Sequence, residues 1–189
     1  VVVYDKGGDM FAPRAWWLFR YLGHQRVFVL DGGYRAWVNQ GYDVTSVIPE
    51  KKHGTFRAHV EHQRVVNIAE VKERGENSVL IDSRTWERYI GSEEPLYERA
   101  GHIPGAVNYD WQAVFTEEGF LKEAGDLKDH FQALQEAETI IVSCGSGVSA
   151  CANILALEAL GYKQVKLYPG SFSDWISYPE NKVKIGDEP

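Results

Sequence analysis

The residues best suited to chemistry lie in a short glycine-rich loop that begins at Cys144. The loop reads Cys144-Gly145-Ser146-Gly147-Val148-Ser149, between the apolar run Thr139–Ser143 and the helical pattern Ala150–Leu160. A buried strand would deliver Cys144 to the carboxyl edge of a parallel sheet, where α/β folds bind ligands. Glycines let backbone N–H groups turn inward, and the start of a helix adds positive potential. Both effects favour a thiolate at this cysteine.

We therefore predict that the Cys144 sulfur is a nucleophile, and the same N–H groups would also stabilise a persulfide anion. Ser146 is predicted to assist catalysis, and four loop residues are predicted to bind the substrate: Gly145, Gly147, Val148 and Ser149. The alternative is that Cys144 is a small buried side chain and that the glycines only form a tight turn. The second cysteine, Cys151, is placed two turns into the apolar helix and is assigned to the core.

The composition narrows the class of protein. The chain has 189 residues, of which 44% are hydrophobic and 25% are charged, with a net charge of -7. This acidity argues against nucleic acid or an anionic membrane as the main partner, and no apolar run is long enough to span a bilayer. The two cysteines suggest neither a disulfide framework nor a zinc site, and a working thiol favours a reducing, cytoplasmic setting. The histidines lack metal-ligand spacing, so we expect no metal and no cofactor.

Two stretches of the chain follow the same plan. Residues 1–37 and 140–175 both read as strand, glycine-containing loop, helix ending in Leu-Gly, strand, turn and closing Trp. Strand–helix–strand units of this kind predict right-handed crossovers and a parallel sheet. Asp5 stands in the first copy where Cys144 stands in the second, so the first copy has no thiol at this position.

The second copy is preceded by elements that have no counterpart before the first. Asn67 is a predicted N-cap for a helix ending over Glu70–Arg74, Val79–Ile81 a strand, and Leu127–Gln135 an amphipathic helix. We therefore expect residues 1–43 to be the C-terminal portion of an N-terminally truncated, non-catalytic domain. Residues 44–62 are predicted to be a linker and residues 63–189 a complete catalytic domain.

Three motifs carry a resemblance to a known family. Gly101-His102-Ile103-Pro104-Gly105-Ala106 resembles the first signature of the rhodanese family, and Leu167–Trp175, reading LYPGSFSDW, resembles its C-terminal signature. The loop CGSGVSA is similar to the form found in mercaptopyruvate sulfurtransferases, whereas thiosulfate-preferring members carry two basic residues after the cysteine. The departures are small, with Ser149 for the more usual Thr and Asp174 for the more usual Glu.

The resemblance implies a fold and a set of site residues. Each domain would hold five parallel strands between helices, with catalysis in the second domain. The family's donor-binding arginine maps onto Arg88, and Arg99 is the candidate for a second one. A planar guanidinium grips a carboxylate or a sulfonate-like group with two hydrogen bonds. The alternative for Arg84, Arg88 and Arg99 is an ion pair with a nearby acid, which we favour for Arg84, with Asp82 bracing the loop. His102 is assigned a structural role.

The predicted activity is sulfur transfer by covalent catalysis. The Cys144 thiolate would take sulfur from 3-mercaptopyruvate, or from thiosulfate, and pass it from a persulfide to an acceptor. The acceptor would be a thiol, such as thioredoxin or a small thiol, or cyanide. A thiosulfate-preferring enzyme and a non-catalytic binding or regulatory module remain alternatives. A cysteine phosphatase is disfavoured, because it needs an arginine where this chain has Ala150.

Overall fold

The computed structural model describes residues 1–50 and 54–189 and shows an α/β fold in which parallel sheets are flanked by helices. The linker prediction rested partly on residues 51–53, which lie outside the described residues. Around them, residues 44–50 and 54–60 have no regular secondary structure. No helix in the described ranges combines the length and apolar character needed to cross a membrane.

Strands of two to five residues form the sheets in the described part of the chain. They are β1 (Val2–Val3), β2 (Phe28–Val29), β3 (Ser78–Asp82), β4 (Ala106–Asn108), β5 (Thr139–Ser143) and β6 (Val165–Leu167). β1 pairs with β2, and the other strands form a sheet in the order β4-β3-β5-β6, with every pairing parallel. The predicted strands at 79–81 and 139–143 are therefore confirmed.

The larger sheet has one strand fewer than the resemblance implied. The fifth position is occupied only by a parallel bridge between Val65 and Leu167, and the N–H of Val66 donates to the Leu167 carbonyl at 2.9 Å. The hydrogen-bond ladder between strands stops at Val66, because Asn67 is the N-cap of a helix that begins at Ile68. Asn67 caps that helix, as predicted: its side-chain oxygen accepts from the N–H groups of Ala69 and Glu70.

Helices cover both faces of the sheets. They are α1 (Phe11–Tyr21), α2 (Gly33–Asn39), α3 (Ile68–Lys72), α4 (Trp86–Ile90), α5 (Ala124–His130), α6 (Ala150–Ala159) and α7 (Ser171–Ile176). The predicted helix at 127–135 was wrong in its bounds, because α5 begins earlier and ends at His130, and a 3₁₀ turn follows over Gln132–Leu134. Its apolar face is nevertheless buried, with Leu127, Phe131 and Leu134 each at most 2% exposed.

The register of the two central strands decides where the loops meet. β3 and β5 pair from Ser78–Thr139 to Asp82–Ser143, so both strands end at the same edge. Successive side chains alternate between the two faces of the sheet. Leu80 and Ile141 enter one core, while Ile81 and Val142 enter the other, which also contains α6 and part of α1. Burial on both faces explains why these strands are continuously apolar.

Removing the cap of α3 tests how this edge of the domain is held. Asn67→Ala removes an acceptor for two N–H groups, and we expect unfolding to become easier by about 1 kcal/mol. Urea denaturation followed by circular dichroism measures the change. Asn77→Ala is the matched control, because the Asn77 amide donates only to Glu138 in an exposed pair. An equal loss in both variants would contradict the role of the cap.

Candidate functional site

The Cys144 loop is folded around one short contact between its own backbone and the sulfur. The Gly147 N–H donates to Cys144 Sγ at 3.1 Å. Gly147 has φ of +75°, and a Cβ at this position would lie 2.5 Å from the Pro169 carbonyl oxygen. Only glycine therefore fits this turn without strain.

The two cysteines lie on opposite sides of the same glycine. The Cys144 sulfur accepts from the Gly147 N–H, whereas the Cys151 thiol donates to the Gly147 carbonyl at 3.6 Å. Burial raises the pKa of Cys151 to about 12, despite the opposing effect of nearby Arg14. A backbone N–H stabilises a thiolate and a carbonyl oxygen opposes one. The two sulfurs therefore differ in their backbone partner, because the Cys144 sulfur has a donor and the Cys151 sulfur has an acceptor.

The position of Cys151 differs from the sequence prediction. It lies in the first turn of α6 rather than two turns into the helix. The helix itself begins at Ala150, as predicted, so only the stated depth of Cys151 within it was wrong. The assignment of Cys151 to the core agrees with its full burial.

Further amides of the loop have no acceptor among the described residues. These N–H groups belong to Gly145, Ser146, Val148 and Ser149. Unsatisfied N–H groups near the start of a helix are suited to an anion. The predicted nest is thus represented by one amide on the sulfur and by others left for a bound group.

The C-terminal signature supports the loop from below. The Cys144 N–H donates to Ser171 Oγ at 3.0 Å, and that hydroxyl donates to the Tyr168 carbonyl at 2.8 Å. Ser171 has φ of +54°, a rare value for a residue other than glycine. The Phe172 N–H donates to the Cys144 carbonyl at 3.0 Å. Sequence reasoning did not select Ser171, although it lies inside the signature.

Cys144 is itself buried, with 1% of its surface exposed, whereas Ser146 at the tip of the loop is exposed. Burial is what the structural alternative predicted. The hydrogen bond from Gly147 and the unsatisfied amides are what the functional alternative predicted. The sulfur is therefore covered by neighbouring groups, and the chemistry of these groups bears on the site.

Arg88 and Tyr97 lie beside the loop at Gly145. A methyl group built on Gly145 would lie 2.9 Å from the Tyr97 hydroxyl and 3.7 Å from both terminal nitrogens of Arg88. The Arg88 guanidinium also lies 5.4 Å from the Tyr97 ring centroid. The structure thus brings Arg88 to the loop, as predicted. Tyr97 was missed, since nothing in its local sequence marks it.

A buried acid holds Arg88 in place. Glu94 Oε1 accepts from Arg88 Nη2 at 2.8 Å, and Glu94 Oε2 accepts from Arg84 Nη1 at 3.1 Å. Arg84 is 2% exposed and also pairs with Asp82 at 2.6 Å. Two arginines and two carboxylates thus form a neutral buried cluster, and breaking such a cluster is costly. Arg84 and Asp82 take the structural roles favoured from the sequence, although in the interior rather than at the surface.

The structure places Arg99 and His102 away from direct bonds to the loop. Arg99 Nη2 donates to the Asn181 carbonyl at 2.6 Å. The His102 ring is fully buried, bonds through Nδ1 to the Tyr89 carbonyl and lies on the Tyr89 ring. The structural assignment of His102 agrees with these contacts. Within the described residues, no hydrogen bond joins Arg99 to the residues of the Cys144 loop.

The corresponding loop of the first unit is closed around Asp5. The Gly7 N–H donates to Asp5 Oδ1 at 2.8 Å and the Ala12 N–H donates to Oδ2 at 2.8 Å. A carboxylate thus occupies the place that the sulfur has in the second loop. The carboxylate accepts from these two N–H groups, and the loop has no thiol at this position.

Comparison with known proteins agrees with this geometry. The family described as the rhodanese-like domain matches residues 1–40 and 67–178 of this chain. The chain therefore belongs to the rhodanese family. It is 36% identical to the thiosulfate sulfurtransferase of Cricetulus griseus over 98% of this chain and 66% of that protein. It is 35% identical to a probable 3-mercaptopyruvate sulfurtransferase of Pseudomonas aeruginosa over 99% of this chain and 68% of that protein. The human 3-mercaptopyruvate sulfurtransferase is 33% identical over 98% of this chain and 66% of its own length.

The chain spans about two thirds of the length of these curated relatives. Among solved structures, the anaerobic ergothioneine biosynthesis enzyme of Chlorobium limicola superposes with a TM-score of 0.88 and 24% identity. That match covers 98% of this chain and 51% of the other. At this identity it supports the fold alone.

The contrast between the two sulfurs predicts their reactivity. At about pH 7.5 we expect iodoacetamide to modify Cys144 at least about a hundredfold faster than Cys151, because the Gly147 N–H donates to the Cys144 sulfur, whereas burial keeps Cys151 a thiol despite nearby Arg14. Cys151, with its pKa raised to about 12, should stay a thiol until the solution becomes strongly alkaline. Peptide mass spectrometry assigns the label, and unfolding in urea is the control that makes both thiols accessible. Equal slow labelling of both residues in the folded chain would contradict the nucleophile assignment.

Proposed function

We propose that the chain carries a sulfurtransferase activity in which sulfur travels as a persulfide on Cys144. The Gly147 N–H on the Cys144 sulfur, with further amides lacking an acceptor beside it, is the observation that carries the proposal. A persulfide places its negative charge one atom further out than a thiolate. The Gly147 N–H and the loop amides without an acceptor would together suit both the thiolate and the persulfide.

The proposed reaction has two half-reactions. In the first, the Cys144 thiolate attacks the sulfur of 3-mercaptopyruvate, an S–S bond forms, and the C–S bond breaks. The electron pair leaves with the carbon as pyruvate enolate, which takes up a proton to give pyruvate. In the second, an acceptor thiolate attacks the outer sulfur, which regenerates the Cys144 thiolate and leaves the persulfide on the acceptor. With thiosulfate as the donor, sulfite would leave instead.

The charge of the site favours 3-mercaptopyruvate as the donor. The loop after Cys144 contains Ser146, Val148 and Ser149 and no basic residue. The neighbouring cation is Arg88, and Glu94 already offsets part of its charge at 2.8 Å. A guanidinium whose charge is partly neutralised suits one carboxylate better than the two negative charges of thiosulfate. Relatives of both kinds match the chain, so the donor has to be decided by experiment.

The remaining assignments follow from position. Ser146, exposed at the tip of the loop, is proposed to bond to the donor or to help protonate the enolate. Gly145, Gly147, Val148 and Ser149 would contribute backbone amides. A thiol such as thioredoxin or a small thiol is the proposed acceptor. Keeping Cys144 as a free thiol supports a cytoplasmic, reducing setting.

Replacing the nucleophile tests the reaction. Cys144→Ser should lower sulfur transfer from either donor to the level of the uncatalysed reaction, because a hydroxyl at this position cannot form a persulfide. Production of pyruvate and of sulfite reports on the two donors separately. Circular dichroism verifies that the variant is folded. Persistent transfer by the folded variant would remove Cys144 from the mechanism.

Substitutions of Arg88 and Arg99, which bond to different partners, test which side chain binds the donor. Arg88→Met should raise KM for 3-mercaptopyruvate by about tenfold or more, since a charge-assisted hydrogen bond contributes roughly 1.5–3 kcal/mol. Glu94 keeps Arg84 as a partner, so the substitution leaves no unpaired buried acid.

Arg99→Met is the matched control for Arg88. Its partner is the Asn181 carbonyl, so we expect a loss of thermal stability with KM changed by less than about twofold. Steady-state kinetics of both variants decides the assignment. If KM rises more for the Arg99 variant, the donor-binding roles are reversed.

A further inference from the structure

A side chain from the first unit reaches the Cys144 loop. Arg14, on α1, donates from Nη1 to the Gly147 carbonyl at 3.2 Å, and the same nitrogen lies 3.8 Å from Cys151 Sγ. Helix α1 packs along α6, the helix that follows the loop, and this packing brings the two units together. The Gly147 carbonyl is thus held from the first unit while the Gly147 N–H points to the Cys144 sulfur.

The planar peptide bond turns this contact into a constraint on the next amide. The carbonyl of Gly147 and the N–H of Val148 belong to one trans peptide and point in opposite directions. Holding the carbonyl toward Arg14 therefore fixes the Val148 N–H away from Arg14. Within the described residues that N–H has no acceptor, so its direction is set by Gly147 and the guanidinium rather than by a bond of its own.

The guanidinium is itself held in position. Its central carbon lies 5.1 Å from the ring centroid of Trp17, which is 2% exposed. A cation above a buried aromatic ring is attracted by the ring and keeps few alternative rotamers. Arg14 is half-buried, so solvent screens its bond to the carbonyl less than it would at the surface.

We infer that Arg14 is a positioning residue: its guanidinium holds the Gly147 carbonyl and so fixes the backbone at Gly147, whose N–H donates to the Cys144 sulfur. The inference rests on the proposed function, because it assigns Arg14 to the same sulfur site. It also gives the first unit a role. That unit, whose own loop is closed around Asp5, supplies a support for the loop of the second.

The test measures the reactivity of Cys144 separately from turnover. In the 189-residue chain, Arg14→Met should lower the rate constant of Cys144 alkylation by iodoacetamide by about tenfold, because the loop amides lose their fixed direction. It should lower kcat for sulfur transfer by a similar factor and leave KM for the donor within about twofold, since Arg14 bonds to the loop rather than to the donor. Rates are expressed per folded chain.

Arg35→Met is the matched control. Arg35 Nη2 donates to the Gly7 carbonyl at 3.4 Å, so it holds a glycine of the first loop in a comparable way. Its alkylation rate at Cys144 should stay within about twofold of the unaltered chain. A purely structural role for Arg14 would lower the melting temperature and leave the rate per folded chain unchanged.

The outcomes separate the two proposals. Slower alkylation of Cys144 in Arg14→Met but not in Arg35→Met supports the inference. If no donor then yields sulfur transfer, the proposed function is wrong and the inference about Arg14 still stands. An unchanged or faster alkylation rate in folded Arg14→Met overturns the inference and leaves the proposed function standing. Should Arg14→Met fail to fold, Arg14→Lys replaces it: a severalfold loss supports the need for a guanidinium, and a rate equal to that of the unaltered chain overturns it.

Discussion

The backbone of one residue, Gly147, underlies the chemistry of this chain. The Gly147 N–H faces the Cys144 sulfur and the Gly147 carbonyl faces the Cys151 sulfur, so two buried thiols seven residues apart have different backbone partners. In an interior of low dielectric, a hydrogen bond donor or acceptor at these distances weighs heavily on whether a thiol ionises. The positive φ of Gly147 makes this arrangement possible, and Pro169 leaves no room for a side chain there.

The sheet and the buried ion pairs place the other side chains of the site around Gly147. Because β3 and β5 end in register, the loop after Asp82 and the loop after Ser143 lie at one edge. The ion cluster of Arg84, Asp82 and Glu94 anchors the first of these loops, and Glu94 extends it to Arg88 beside Gly145. Buried ion pairs add little net stability compared with apolar packing, but they fix geometry. Here the fixed geometry is a guanidinium beside Gly145 of the Cys144 loop.

The two units use the same kind of loop in different ways. In the first, the Asp5 carboxylate accepts the loop amides, so the chain supplies its own anion. In the second, loop amides are left without an acceptor and the central side chain is a cysteine. Membership of the rhodanese family accounts for the shared architecture. The two loops differ in the side chain that follows the strand, which is the carboxylate of Asp5 in the first and the thiol of Cys144 in the second.

The sequence by itself determined the features that depend on near neighbours. The central strands, the Asn67 cap and the glycine-rich turn after Cys144 follow from apolar runs, capping chemistry and backbone freedom. Tertiary structure decided the features that depend on residues far apart in the chain. Arg88 lies against the loop, Arg99 bonds to the Asn181 carbonyl, and Tyr97 and Arg14 contact the loop without any local signal. Loop lengths and the packing of α1 on α6 set these contacts, and no residue pattern within a single element encodes them.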